Sequence, residues 1–111
     1  MARSELIKGT LTLLVLSVLE HGELYGYEIA QRIRQLSGEV FAPSEGALYP
    51  TLHRLEREGA VEASWGAGER GPRRRYYAIT SRGTGLLADA RREWQSVSNG
   101  VSRVIGGLTD A

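Results

Sequence analysis

The sequence predicts a mainly α-helical fold that includes one β-hairpin. Apolar residues recur with helical spacing in three segments of the first half, an alternating segment with a Gly-rich loop follows, and a heptad pattern closes the chain. The 111 residues suffice for one small domain and an appended helix. We therefore expect residues 1–80 to form the domain and residues 81–111 to form the C-terminal helix.

Composition excludes several classes of protein. Hydrophobic residues make up 41% of the chain and charged residues 24%, which is typical of an ordered globular protein. The absence of Cys excludes a disulfide framework, a thiolate nucleophile and a Cys-based zinc site. The longest apolar run, Leu11 to Leu19, is shorter than the about 20 residues that span a bilayer, and no signal-peptide cleavage site follows it. We expect a cytoplasmic protein without a membrane segment.

Positive charge is concentrated in one part of the chain, although the net charge is only +1. Residues 1–60 contain six basic residues (Lys or Arg) and eight acidic residues (Asp or Glu). Residues 61–83 contain five basic and two acidic residues, and residues 84–111 contain three of each. A local basic patch of this kind is the electrostatic feature expected of a nucleic-acid-binding surface.

The first two helices are predicted from about Ser4 to Glu20 and from about Gly26 to Leu36. The buried stripe of the first helix is expected to consist of Leu11, Leu14, Val15, Val18 and Leu19. In the second helix, Ile29, Ile33 and Leu36 are expected to point inward. We expect Tyr25 and Tyr27, near its start, to be core or packing residues.

A third helix is predicted from Ser44 to Gly59. Leu48, Leu52 and Leu55 recur at i, i+4 and i+7 and so lie on one face, while Ser44 can cap its start and Gly59 suits its end. Pro50 removes a backbone donor from the helix interior, so either the helix begins later or it is locally distorted. We favour a start near Ser44 with local distortion.

A β-hairpin and a long helix complete the predicted order of elements. Val61, Ala63 and Trp65 alternate as in a strand, residues 66–72 form a Gly-rich loop, and residues 73–79 return. Thr80 or Ser81 caps the last helix. Its apolar residues follow an unbroken heptad spacing, and they are Leu87, Ala90, Trp94, Val97, Val101, Val104 and Leu108.

Three helices followed by a hairpin correspond to a winged helix-turn-helix. The sequence resembles the PadR family of bacterial transcriptional regulators over about residues 5–94, in four stretches. These are Gly9-Thr10-Leu11 with Leu14-Val15-Leu16, Tyr25-Gly26-Tyr27-Glu28-Ile29, Gly46-Ala47-Leu48-Tyr49-Pro50-Thr51-Leu52-His53-Arg54-Leu55-Glu56, and Gly71-Pro72-Arg73-Arg74-Arg75-Tyr76-Tyr77 with Ile79-Thr80 and Gly83.

The resemblance implies a DNA-binding transcriptional regulator of the smaller subfamily, in which a single C-terminal helix replaces a long dimerisation domain. Two departures are small. The family usually has Thr where this chain has Ala47, which removes a hydroxyl, and usually Lys where it has Arg75, which keeps the charge and changes its geometry.

Candidate DNA-binding residues lie at the start and on the polar side of the third helix. Arg can bind guanine edges or phosphate, and Tyr and Thr can bind phosphate or contact a thymine methyl group. The simpler alternative is a solvated face with ordinary i, i+4 charge pairs. The hairpin that follows favours DNA contact, and the candidates are Ser44, Tyr49, Thr51, His53 and Arg54.

The hairpin, or wing, supplies four more candidates, Arg70, Arg73, Arg74 and Arg75. Glycines in the loop allow close approach to a phosphate backbone, and the clustered guanidinium groups would release counterions on binding. The simpler alternative is a solubilising hairpin tip. Strand alternation predicts that one or two of the four arginines point away from DNA.

The heptad seam of the last helix is predicted to form a homodimer, since seven positions exceed what one small domain needs; packing on its own domain is the alternative. A two-fold dimer predicts an inverted-repeat operator on double-stranded DNA. Trp94 is either ordinary interface core or, with Ala90 and Val97, part of a site for a small planar aromatic effector, as in some small proteins that this one resembles.

An enzyme is not expected. His21 and His53 lie on different elements with no third ligand at metal spacing, and no phosphate-binding loop or paired carboxylates occur, so we predict no cofactor and no metal. The function we predict is a dimeric, DNA-binding repressor released by a small effector. The alternative is a winged-helix module that binds a protein partner through its arginine cluster.

Overall fold

The computed structural model describes the backbone of residues 2–66 and 71–110 and the side chains of residues 10–66 and 71–107. Four helices and three short strands follow one another along the chain. They are α1 (Ala2–Leu19), β1 (Leu24–Tyr25), α2 (Gly26–Leu36), α3 (Glu45–Arg57), β2 (Val61–Gly66), β3 (Arg74–Ile79) and α4 (Ser81–Asp110). This is the predicted fold class, a mainly helical chain with a hairpin wing.

Helix α1 lies at the centre of the core, as its wide apolar stripe predicts. Leu11, Val15 and Leu19 are almost completely buried, whereas Leu14 is only partly buried and Leu16 takes its place in the interior. The core also receives Ile29 of α2, the three leucines of α3, and residues of the sheet. Three helices therefore enclose one continuous apolar core, against which the sheet packs.

Two side chains at the ends of α2 are more exposed than the sequence pattern predicts. Leu36, expected inward, is 74% exposed because it ends the helix and only borders a groove beside Leu14 and Phe41. Tyr27, expected to pack, is 63% exposed in the first turn, where its hydroxyl accepts a hydrogen bond from Gln31. Helical periodicity fixes direction around the axis but not how far the neighbouring element extends.

A third strand, which the sequence analysis missed, completes the sheet. Strand β1 pairs antiparallel with β3, and β3 pairs antiparallel with β2, so β3 is central. Leu24 lies opposite Tyr77, and Ala63 lies opposite Tyr77 on the other side. A strand of two residues is too short to show alternation, and this explains why periodicity did not reveal it.

The start of α4 is fixed tightly to the end of α3. Thr80 caps α4, because its hydroxyl accepts a hydrogen bond from the Gly83 amide. The same hydroxyl donates toward the carbonyl oxygen of Gly59, at 2.6 Å, and the Thr80 amide donates to Ala60. Gly59, at φ 76°, has the left-handed conformation that glycine tolerates at a helix end.

The first part of α4 packs on the described core. Leu87 is buried in the core, and Arg91 binds Glu20 at the end of α1 through two hydrogen bonds of 2.8 and 3.2 Å. Beyond them the apolar side chains are about half exposed or more, and they are Trp94, Val97, Val101, Val104 and Ile105. The molecule is consequently elongated, with a longest dimension of 60 Å.

Candidate nucleic-acid interface

Helix α3 has one buried face and one exposed face. Its leucines, Leu48, Leu52 and Leu55, are at most 2% exposed. On the opposite side an exposed stripe runs at helical spacing through Gly46, Pro50, His53 and Arg57. This stripe is the part of α3 that a large ligand can reach first.

Ser44 and Pro50 define how α3 begins. The helix starts at Glu45, with Ser44 as the preceding cap, and its side chain accepts a hydrogen bond of 3.3 Å from the Ala47 amide. Pro50 lies inside the helix, so the carbonyl of Gly46 has no helical amide donor. Gly46 and Pro50 are exposed, so water or a donor group of a ligand can donate a hydrogen bond to the Gly46 carbonyl.

The remaining candidates on α3 are partly used in packing. Tyr49 is half-buried and lies against Gly26, where an added methyl group would be 2.4 Å from the Tyr49 hydroxyl. The Thr51 hydroxyl donates to the Ala47 carbonyl at 3.0 Å. His53 is exposed, with its ring centre 6.4 Å from that of Tyr49. His53 is therefore the most accessible of these three side chains.

Arg54 joins α3 to α1 in this structure. Its guanidinium donates to the Thr12 hydroxyl on α1 and forms an ion pair of 3.2 Å with Glu58 one turn along α3. The side chain is 42% exposed. A DNA contact by Arg54 would therefore compete with two existing partners.

The wing arginines lie on two different faces of the hairpin. Arg73 and Arg75 both lie over the ring of Trp65, with guanidinium carbons 5.4 and 5.8 Å from its centre. Arg74 instead lies 4.5 Å from the centre of the Tyr25 ring. Strand alternation separates them in this way. Arg70, the fourth candidate, lies outside the described residues.

The face that carries Arg74 is rich in tyrosine. Tyr25 packs edge-on against Tyr76, with ring centres 5.6 Å apart, and is stacked near Tyr27 at 6.4 Å. Gly66 leaves room for the Tyr76 ring, since an added methyl group would lie 2.5 Å from it. Arg74 remains exposed above this aromatic group.

The other face is tied to α3. The Arg75 guanidinium forms an ion pair of 2.7 Å with Glu56, whose side chain is 33% exposed, and it lies beside the buried Tyr77. Burial raises the pKa of the Tyr77 phenol above its ordinary value, and the charge of Arg75 acts in the opposite direction. Glu56 and Trp65 were not among the predicted site residues, nor was Arg57.

The seam of α4 is largely unpaired in the single chain. Leu87 is buried and Ala90 is partly buried, whereas Trp94 is 49% exposed and Val97 is 54% exposed. The side chain of Leu108 lies outside the described residues. No group of three or more metal-binding side chains occurs in the part of the chain that the structure describes. No described helix is long and apolar enough to cross a bilayer.

Known proteins are similar to this chain in sequence and fold. The transcriptional regulator Rv3488 of Mycobacterium tuberculosis is 34% identical over 83% of this chain and 82% of its own. A transcriptional regulator structure from Clostridium thermocellum superposes with a TM-score of 0.82 and 31% identity, over 89% of this chain and 96% of that one. The structure of a PadR-like transcriptional regulator from Bacillus cereus superposes with a TM-score of 0.78 and is 34% identical, over 91% of this chain and 96% of that one.

A family model supplies the assignment for most of the chain. The model described as the transcriptional regulator PadR-like family matches residues 15–89, from the middle of α1 through β3 and into α4. The matched segment contains α3 and the whole wing, so it includes the candidate interface. This chain belongs to the PadR-like family of transcriptional regulators.

Proposed function

We propose that this regulator is a sequence-specific DNA-binding repressor. One observation supports it most: the Arg75–Glu56 ion pair joins the wing to the last turn of α3, whose outer stripe is exposed, and Arg73 is exposed on the same side of the wing as Arg75. An exposed helix face fits the major groove, and a basic wing beside it fits the flanking phosphates. Acting on the chromosome of a bacterium, the protein would work in the cytoplasm.

The repressor acts as a homodimer in this proposal. The half-exposed apolar stripe on the far part of α4 provides an apolar surface for a second copy. Two α3 helices related by a two-fold axis would read two half-sites about one turn of DNA apart, so the operator would be an inverted repeat.

The effector is proposed to be a small planar aromatic molecule. Trp94 is half exposed on the seam, and Ala90 and Val97 lie one turn away on either side of it. Paired Trp94 rings in a dimer would offer stacking surfaces to a flat ligand. Calorimetric titration with such ligands should give no binding to Trp94→Ala, whereas retained binding would contradict this site.

A binding titration tests the proposed function. Purified protein is added to the duplex upstream of its own gene, and to a scrambled duplex, at several salt concentrations between about 50 and 200 mM. We expect two protomers per site, preference for an inverted repeat and a steep loss of affinity with salt.

A lack of preference for the upstream duplex would lead to selection from random duplexes before the operator is excluded. Failure of that selection, with only weak binding at low salt, would contradict the DNA-binding proposal. It would favour a protein partner for the arginine cluster instead.

A further inference from the structure

Two chemically identical side chains, Arg73 and Arg75, lie on one face of the wing in different surroundings. Arg75 pairs with Glu56 at 2.7 Å, and its Nε is buried without a hydrogen-bond partner among the described residues. Arg73 is exposed, and within the described ranges no carboxylate lies within 4.0 Å of it. Its guanidinium carbon lies 5.4 Å from the centre of the Trp65 ring.

Trp65 lies close to both arginines. Trp65 lies directly opposite Arg75 in the β2–β3 pairing, and the guanidinium groups of Arg73 and Arg75 both lie over its ring. Although an exposed tryptophan in a hairpin is costly to leave in water, 58% of its surface is exposed here. Cation–π contacts from both arginines hold the ring and restrict the two guanidinium groups.

The ion pair makes Arg75 a poor phosphate ligand. If its guanidinium left Glu56 to reach a phosphate, it would expose a carboxylate that is only one-third exposed, beside the DNA. Such a carboxylate would repel the phosphate backbone as well as lose its partner. Arg73 can bind phosphate without breaking an ion pair with any carboxylate of the described residues.

We propose that Glu56, Arg75 and Trp65 are positioning residues that fix the wing against α3, and that Arg73 makes the phosphate contact. Glu56 thus belongs to the DNA-binding apparatus although it carries the same sign of charge as DNA. This inference rests on the proposed function, since it requires that α3 and the wing bind duplex DNA together.

The dependence of affinity on salt separates the two roles. The logarithm of the binding constant falls linearly with the logarithm of the salt concentration, and each lost phosphate contact makes this slope less steep by about 0.9. We expect Arg73→Ala to lower the slope by that amount for operator and scrambled duplex alike. Arg75→Ala should leave the slope unchanged and lower the preference for operator over scrambled duplex by about tenfold, because α3 is then held less firmly in register.

Glu56→Gln gives the opposite expectation. Without the carboxylate, Arg75 is free to bind phosphate, so the slope should rise by about 0.9 and binding to scrambled duplex should tighten. Glu62→Gln is the matched control, because it removes the same charge from an exposed position on β2 and breaks no described ion pair. The control should leave the slope unchanged.

Conservative and exchanged variants guard against simple unfolding. Arg75→Lys keeps the charge and loses the forked geometry, so it should retain the slope with an intermediate preference. The exchange Glu56→Arg with Arg75→Glu should recover much of the preference that either single change removes. Thermal unfolding of each variant, followed by circular dichroism, identifies any that has lost the fold.

The outcomes distinguish this inference from the proposed function. Equal slope losses for Arg73→Ala and Arg75→Ala, with wild-type binding intact, would overturn the division of roles and leave DNA binding standing. An unchanged slope in Glu56→Gln would do the same. If the wild-type protein bound neither its selected operator nor any other duplex, the proposed function would fail, and this inference would fail with it.

Discussion

At the scale of single residues, accessibility separates side chains that the sequence presents as equivalent. Arg54 and Arg57 both lie off the leucine seam of α3, yet Arg54 is bound to Thr12 and Glu58 while Arg57 is exposed. One turn before Arg57, His53 is also exposed. Together they form the most accessible polar part of the stripe, and they are our first candidates for contacts to base edges.

We expect Arg57→Ala to weaken operator binding by about 1–3 kcal/mol, the cost of losing one bidentate contact to a guanine, and to relax the preference at one base pair. Arg103→Ala, which removes the same charge from an exposed position on α4, is the control. Gel-shift titrations on operator variants measure both effects. An equal loss in the two variants would mean that only net charge matters at Arg57.

Glu20 gives a prediction for the pH dependence of stability. Its hydrogen bond with Arg91 lowers the pKa of the carboxyl below its ordinary value of 4.5. A depressed folded-state pKa stabilises the fold above the unfolded-state value and loses that effect as the pH falls through the folded-state value. Glu20→Gln should therefore lower the unfolding free energy at neutral pH, and the difference from wild type should vanish in acid.

Denaturant titrations across this pH range measure the difference. Glu23→Gln, an exposed glutamate in the same turn, serves as the control and should follow the wild-type curve. If the gap between Glu20→Gln and wild type stayed constant down to strongly acidic pH, the hydrogen bond with Arg91 would not be its source.

At the scale of elements, the junction between α3, β2 and α4 requires a glycine at position 83, where α4 approaches the backbone of Ala60. A methyl group on Gly83 would lie 2.1 Å from the Ala60 carbonyl oxygen, whereas one on Gly85 meets nothing within 4 Å. We expect Gly83→Ala to destabilise the fold by about 1–3 kcal/mol or more. Gly85→Ala, on the same helix, should stabilise it by up to about 1 kcal/mol. Equal changes in melting temperature would contradict this assignment.

The sequence predicts elements well where a period and a cap coincide. The bounds of α2 agree with the prediction, and α3 begins after Ser44 as expected because the leucine spacing and the capping serine both indicate it. Strand β1 has neither signal, and its existence depends on pairing with β3 far along the chain. Short elements that exist only through partners cannot be read from local pattern.

The residues of the candidate site can be predicted from the sequence, but the side chains that each of them contacts cannot. The arginines of the wing and the polar side of α3 follow from the sequence, and the family assignment supports a regulator. That Arg75 lies on the α3 side and binds Glu56, while Arg74 covers Tyr25, depends on the register of the hairpin and on how the sheet packs. Such contacts are tertiary, and no spacing within one element reveals them.

At the scale of the whole molecule, the far part of α4 carries an apolar stripe that is about half exposed or more. Val101 and Val104 are 52% and 65% exposed on a helix of 30 residues. If this stripe forms the dimer, Val101→Asp should give monomers in sedimentation velocity and a large loss of operator affinity, because a buried unpaired charge is costly. Ser96→Asp, exposed and away from the seam, should remain dimeric. Dimers in both variants would place the interface elsewhere.

The pairing of Leu24 with Tyr77 has a consequence for the order in which the protein forms. During synthesis the segments of α1, α2 and α3 leave the ribosome before β3. Strand β3 closes the sheet by pairing with β1 across the segment that contains α2, α3 and β2, and closing a loop of that length costs conformational entropy. The three helices can therefore begin to pack together before the sheet of the nascent regulator is complete.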